Sequence, residues 1–154
     1  MFHLILFEPE IPPNTGNIIR LCANTGTMLH LIRPLGFELD DRKLRRAGLD
    51  YREFADLRVH DGLDQALDAL DRPRTLALST HGKTLYSENR FMPGDALLLG
   101  PETRGLPTAV LQSMNPADIL RIPMRPQNRS LNLSNAAAIV LYEAWRQQGF
   151  AAGC

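Results

Sequence analysis

Three polar stretches in this chain carry residues whose types and spacing could do chemistry. The first runs from Glu8 to Arg20 and reads Glu-Pro-Glu-Ile-Pro-Pro-Asn-Thr-Gly-Asn-Ile-Ile-Arg. Asn17 and Arg20 are three apart, so on a helix they share a face. A guanidinium placed there can grip a phosphate or stabilise an oxyanion. The plainer alternative is a helix capped by Asn14 or Thr15, with Arg20 in solvent. The second stretch is Gly100-Pro-Glu-Thr-Arg-Gly105, which follows an apolar run. It reads as a tight loop, either turning backbone amides toward a ligand or simply joining a strand to a helix, and Glu102 and Arg104 can pair across it. It is no Walker loop, because Leu106 stands where lysine is needed, and no G-x-G-x-x-G occurs in the chain. The third stretch, Ile122 to Asn135, is stiffened by Pro123 and Pro126. Ser130, Asn132, Ser134 and Asn135 offer hydroxyls and amides that both donate and accept. Some must cap the helix that follows. Four exceed what one cap requires, so the stretch reads as a ligand loop, and a helix start suits the carboxylate of an amino-acid-like ligand.

Other reactive side chains are sparser. A basic run, Asp41 to Arg52, holds Arg42, Lys43, Arg45, Arg46, Arg52 and Tyr51. It is either a solvated helix face or a contact to nucleic-acid phosphates. The histidines, His3, His30, His60 and His81, form no H-E-x-x-H or similar pair, so no metal site is expected. Only His81 follows a strand in a polar loop. There is no G-x-S-x-G elbow. Cys22 lies in an apolar helical pattern and is expected to be buried, and with Cys154 it forms neither a metal motif nor a disulfide framework.

The elements that must position these groups alternate along the chain. Strands are expected at His3–Phe7, Leu29–Arg33, Leu57–His60, Thr75–Ser79, Ala96–Leu99 and Ile119–Ile122. Helices are expected from about Thr15 to Asn24, from Asp40 or Asp41 through Ala47, and over the i, i+3, i+4, i+7 face of Leu63, Ala66, Leu67 and Leu70. Two more follow, a short one around Leu106–Met114 started by Pro107 and a long one over Leu133–Gln147. This is an α/β pattern, a mostly parallel sheet flanked by helices. Ligands of such sheets lie beyond the carboxyl ends of the strands, which selects the loops after Phe7, Ser79, Leu99 and Ile122. The 154 residues suit a single domain, 1–154. Lys plus Arg, 17, equals Asp plus Glu, 17. That argues against a general nucleic-acid coat but leaves room for a local patch, and arginine supplies nearly all of the cations. Neither a signal peptide nor a membrane-length apolar run is present, so a cytoplasmic protein with no membrane partner is expected.

Taken together, Asn14-Thr-Gly-Asn-Ile-Ile-Arg20, Leu98-Leu-Gly-Pro-Glu-Thr-Arg-Gly-Leu106, and Ile122-Pro-Met followed by Ser130-Leu-Asn-Leu-Ser-Asn-Ala136 resemble, in order and spacing, the three motifs of SPOUT methyltransferases. The runs Glu8–Gly26, Leu44–Tyr51 and Tyr142–Gln147 extend the likeness to the small, single-domain tRNA (cytidine/uridine-34) 2′-O-methyltransferases. The resemblance implies an α/β fold with a deep C-terminal trefoil knot and a homodimer. It also implies S-adenosylmethionine as donor, leaving S-adenosylhomocysteine as product. The donor would lie against Leu78, Gly100, Glu102, Ile122, Ser130 and Leu131. Arg20 and Asn132 would be catalytic. Asn17, Arg45, Arg46, Arg104 and Arg129 would hold the anticodon arm of a leucine tRNA. The competing readings are a sibling enzyme acting at another tRNA or rRNA nucleotide, a catalytically silent RNA-binding module, and a Rossmann-like enzyme. The missing glycine fingerprint argues against the last.

Overall fold

The computed structural model describes residues 1–40, 42 and 56–154. Its strands are β1 (His3–Phe7), β2 (Met28–Ile32), β3 (Leu57–His60), β4 (Thr75–Leu78), β5 (Thr84–Leu85), β6 (Ala96–Leu99) and β7 (Ile119–Arg121). They form one sheet in the order β3-β2-β1-β6-β4-β7-β5. Every pairing is parallel. The helices are α1 (Pro12–Thr25), α2 (Leu63–Ala69), α3 (Thr108–Gln112) and α4 (Leu133–Gln147).

Side-chain alternation along the strands divides the core in two. Leu4, Leu6, Leu29, Leu31, Leu97 and Leu99 pack with Ile18 and Ile19 of α1 and Val140 and Leu141 of α4. Ile5, Ile32, Ala77, Ala96 and Leu98 point the other way, to Ala66 of α2 and to Leu106. All four residues of β6 are buried, as a strand covered on both faces requires. Cys22 is buried within the first of these cores. That burial pushes its thiol up to about 12, so it stays protonated and inert.

Several boundaries differ from the sequence reading. Helix α1 starts at Pro12, with Ile11 in the N-cap position and no side-chain cap bond. Asn14 and Thr15 are therefore not caps but buried residues of the helix. The physical reason is the proline pair in the first turn, which lacks the N–H groups a cap would satisfy and has its φ preset for a helix. Helix α3 likewise begins at Thr108, with Pro107 in the N-cap position. The two-residue strand β5 was not anticipated, since so short a segment carries no periodicity. The charged helix expected through Ala47, with Arg45 and Arg46, lies outside the described residues.

Strand β7 enters the sheet between β4 and β5, both already laid down earlier in the chain. The chain then returns through the loop at 122–132 to α4, which packs beside α1. This late insertion brings the loops after β4, β6 and β7 to one end of the sheet.

Candidate active site

A cavity of about 580 Å³ opens where the carboxyl ends of β4, β6 and β7 meet. All six residues named above for the donor, Leu78, Gly100, Glu102, Ile122, Ser130 and Leu131, line it. Asn132, Arg104 and His81 do so as well. Arg20 and Asn17 do not; both lie exposed on α1. Arg129 is exposed on the loop before Ser130. Arg45 and Arg46 fall outside the described residues.

The second stretch is as tight as its composition suggested. A Cβ on Gly100 would sit 2.3 Å from the Leu106 nitrogen and 2.4 Å from the Gly105 carbonyl carbon. Only glycine allows the chain to fold back on itself so closely. The Gly105 N–H donates to the Pro101 carbonyl at 2.9 Å, closing the turn.

Glu102 and Arg104 do not pair with each other. The Glu102 carboxylate accepts from the backbone N–H of Glu10 (2.8 Å) and of Ile11 (3.1 Å), and from Asn14 Nδ2 (3.3 Å). Arg104 instead forms an ion pair with Glu8. Thr103 between them donates its N–H and its hydroxyl to the Glu10 carboxylate, at 3.1 and 2.8 Å. The loop thus turns its side chains toward the segment after β1. There, backbone donors that would otherwise lack partners bind a carboxylate better than a neighbouring exposed arginine could. The Glu10 carboxyl is held below the usual carboxylate range, chiefly by the Thr103 backbone and hydroxyl donors and also by nearby Arg104.

The first and third stretches join through two amides. Asn132 Nδ2 donates to Asn14 Oδ1 at 2.8 Å. Asn132 Oδ1 accepts from the Ser134 N–H at 2.9 Å and its hydroxyl at 2.6 Å, capping α4. Each amide uses its nitrogen as donor and its oxygen as acceptor, so both orientations are specified. A continuous path, Glu102–Asn14–Asn132–Ser134, ties the three loops together. Sequence reasoning named Asn14 only as a cap and gave Glu8 and Glu10 no role. The only hint for Asn14 was a polar residue inside an otherwise apolar helical stripe.

A second polar cluster lies outside the cavity. His3 Nδ1 is 3.3 Å from His30 Nε2, and His30 Nδ1 is 3.0 Å from His60 Nε2. The three rings form a chain across β1, β2 and β3 rather than a tripod. Among the described residues no group of His, Cys, Asp or Glu is arranged to hold a metal ion.

The cavity suits a nucleoside joined to an amino acid. Its volume falls within the ~300–1,000 Å³ of small-molecule sites, which are mainly apolar with a few placed polar groups. Leu78, Leu99, Ile122 and Leu133 supply apolar wall, and Ser130 and Asn132 supply hydrogen-bonding groups. At Gly100 the backbone of Gly105 and Leu106 closes against the chain, a packing that any side chain would block.

Comparison with known proteins agrees with this geometry. Residues 1–142 match the model of the SpoU rRNA methylase family. A tRNA (cytidine(34)-2′-O)-methyltransferase of Methylovorus glucosotrophus (strain SIP3-4) is 56% identical over 151 residues, covering 98% of each chain. A solved structure described as giving insights into the 2-OH methylation of C/U34 on tRNA superimposes with a TM-score of 0.89 at 50% identity, covering 97% of each chain. The SpoU methyltransferase AviRb of Streptomyces viridochromogenes, solved with the cofactor AdoMet, gives a TM-score of 0.82 at 25% identity over 99% of this chain and 58% of its own. With its parallel sheet, its three-loop cavity and a match over nearly its whole length, this chain belongs to the SpoU methylase family, S-adenosylmethionine-dependent enzymes of the SPOUT fold.

Proposed function

We propose that the protein transfers a methyl group to the ribose 2′-hydroxyl of the wobble nucleotide, cytidine or modified uridine 34, of leucine tRNAs. The observation that carries this reading is the tie through Asn14, which fastens helix α1 to both loops of the donor cavity. Helix α1, which bears Arg20, is thereby held rigidly within the protomer. The Methylovorus glucosotrophus relative and the C/U34 structure, alike over nearly their full length, support the choice of nucleotide. Substrate tRNA would enter by its anticodon arm, and the cytoplasm is where such a substrate is met.

S-adenosylmethionine, held in the cavity lined by Gly100, Ile122 and Ser130, would supply an electrophilic methyl group with a neutral thioether as leaving group. The chain's own residues must present the hydroxyl in line and handle its proton. Arg20 brings a cationic guanidinium with a planar fork of donors. Its role is to stabilise the alkoxide that develops on the ribose, while the proton passes to a nearby phosphate or to water. Asn17, three residues earlier on α1, and Asn132 orient the groups around it. Leu78, Gly100, Ile122 and Ser130, which line the cavity, would hold the donor.

Arg20 lies on α1 but does not line its own chain's cavity. A second copy would therefore complete the site, with the Arg20 of one protomer facing the donor of the other. Ile139 and Tyr142 of α4 are 36% and 44% exposed and offer apolar surface beside α1 for that contact. In the same reading, the entry of β7 between β4 and β5 threads the C-terminal half into a trefoil knot.

The test is incubation with labelled methyl donor and unmodified bulk tRNA, followed by nucleoside mass analysis and mapping. Label in 2′-O-methylcytidine or a 2′-O-methyluridine derivative at position 34 of leucine tRNAs is the expected result. Label on a base, or at another position, would make the enzyme a sibling with a different acceptor. Binding of tRNA with no donor binding by calorimetry would make it a silent RNA-binding module.

A further inference from the structure

The chain has no net charge, yet its cations are unevenly paired. Arg33 meets Asp61, Arg72 meets Asp64 and Asp68, Arg74 meets Asp95, Arg104 meets Glu8 and Arg146 meets Glu143. Lys83, Arg121 and Arg125 are all exposed. None of the three has an ion pair among the described residues.

These three residues are not scattered. In the β5/β7 register Leu85 lies opposite Arg121 and Thr84 opposite Leu120. Lys83 immediately precedes β5, so it stands at the start of the strand that pairs with the one bearing Arg121. Arg125 lies four residues beyond Arg121, on the loop whose Met124 and Ser130 line the cavity. The acids of this edge are few. Glu88 is in the turn after β5, and Asp118, in the turn before β7, acts electrostatically on Arg74. The outer edge of the sheet beside the cavity is thus a cationic rim. The basic run of the sequence, Arg42 to Arg52, comes between β2 and β3 in chain order, and all of it but Arg42 lies outside the described residues.

We infer that the Lys83–Arg121–Arg125 rim is a second RNA contact, binding backbone phosphates that flank the acceptor nucleotide on the β5 side of the cavity. This rests on the tRNA reading above and adds to it a surface and a polarity. Clustered exposed cations with no acid partners raise a local positive potential even on a neutral protein. They are also already hydrated, so engaging a phosphate breaks no internal pair. Each phosphate they neutralise releases condensed counterions, which makes the contribution visible in the salt dependence of binding.

The experiment compares the full-length wild type with the triple variant Lys83→Gln/Arg121→Gln/Arg125→Gln. Unmodified tRNA binding is measured between roughly 50 and 200 mM salt. A control triple, Arg33→Gln/Arg72→Gln/Arg146→Gln, removes the same charge from paired positions. For three lost phosphate contacts the slope of log K against log salt should become less negative by about 2 to 3, at ~0.7–0.9 per contact. Affinity at the low-salt end should fall on the order of tenfold or more. Donor affinity by calorimetry should be unchanged in both variants, and the control should keep the wild-type slope. A rim variant with the wild-type slope overturns the inference and leaves the enzyme reading standing. A control that flattens the slope equally also overturns it, since net charge alone would then be the cause. Wild-type protein that binds no tRNA overturns the tRNA reading and the rim with it.

Discussion

Replacing Gly100 by alanine puts one methyl group where the loop after β6 doubles back. The new Cβ would lie 2.3 Å from the Leu106 nitrogen, 2.4 Å from the Gly105 carbonyl carbon and 3.0 Å from Gly105 Cα. All three are backbone atoms, so no side chain can swing aside. Non-bonded carbons rest at about 3.5 Å, and the loop must therefore open by roughly 1 Å. Overpacking of this kind costs about 1–3 kcal/mol. For a domain of this size that lowers Tm by about 2–4 °C per kcal/mol. Gly100 and Leu106 both line the donor cavity, so the displacement also reshapes the site, and a 1 Å misplacement can cost on the order of 100-fold in rate. Gly105→Ala is the matched control. Gly105 has φ +67°, and a Cβ there meets nothing within 4 Å. It should cost about 1 kcal/mol of backbone strain and leave donor affinity near wild type. Thermal unfolding, calorimetry with S-adenosylhomocysteine and single-turnover methylation read all three quantities. If Gly100→Ala kept its donor affinity and Tm while Gly105→Ala lost them, the close-approach account of this loop would be refuted.

Arg20→Lys keeps the charge but loses the planar fork, and both it and Arg20→Ala should slow methyl transfer by about 100- to 1,000-fold with donor affinity intact; wild-type turnover in both would remove Arg20 from the chemistry. Glu102→Ala strands two backbone N–H groups and the Asn14 amide, and should lower stability by about 1–3 kcal/mol, measured by urea unfolding; an unchanged midpoint would show the tie is inessential. Mixing protomers of Arg20→Ala with protomers of Gly100→Ala should restore activity that neither has alone, because a shared site takes Arg20 from one copy and the donor from the other; no recovery after proven subunit exchange would place the whole site in one chain. His30 is 2% exposed, and burial, then His3, His60 and Arg58, lower its pKa to about 4. The unfolded imidazole takes up a proton near pH 6.5 and the folded one does not, so stability should fall as pH drops from ~6.5 toward 4, by about 1–2 kcal/mol after solvent screening. Urea midpoints near pH 7 and pH 5 should show this loss, and His30→Phe should lack most of it; an equal loss in the variant would assign the slope to other groups.

The histidine row shows how far local reading could reach. Each of the three rings sits in its own strand, and each strand except the short β5 was legible from apolar runs and punctuating prolines. Nothing in a strand's own sequence specifies the register of a parallel neighbour, since that neighbour arrives only after a long crossover. His3, His30 and His60 therefore read as unrelated residues until the sheet aligned them. The start of α1 failed for the reverse reason. The rule that favours Asn and Thr as caps is local, but it was overridden by Pro12 and Pro13, and burial then gave Asn14 a different partner.

Residue types along the chain were enough to establish alternating strands and helices, three stiff polar loops and a cap somewhere among Ser130, Asn132, Ser134 and Asn135, because each depends on neighbours a few positions away. The pairing of those loops was not available from them. Glu102 reaches Glu10, Ile11 and Asn14 across 92, 91 and 88 residues, and Arg104 turns to Glu8 rather than to Glu102. Such contacts exist only once β6 lies beside β1 and β7 slips between β4 and β5. A carboxylate binds whichever donors the folded backbone leaves unsatisfied, and that is a property of the assembled sheet.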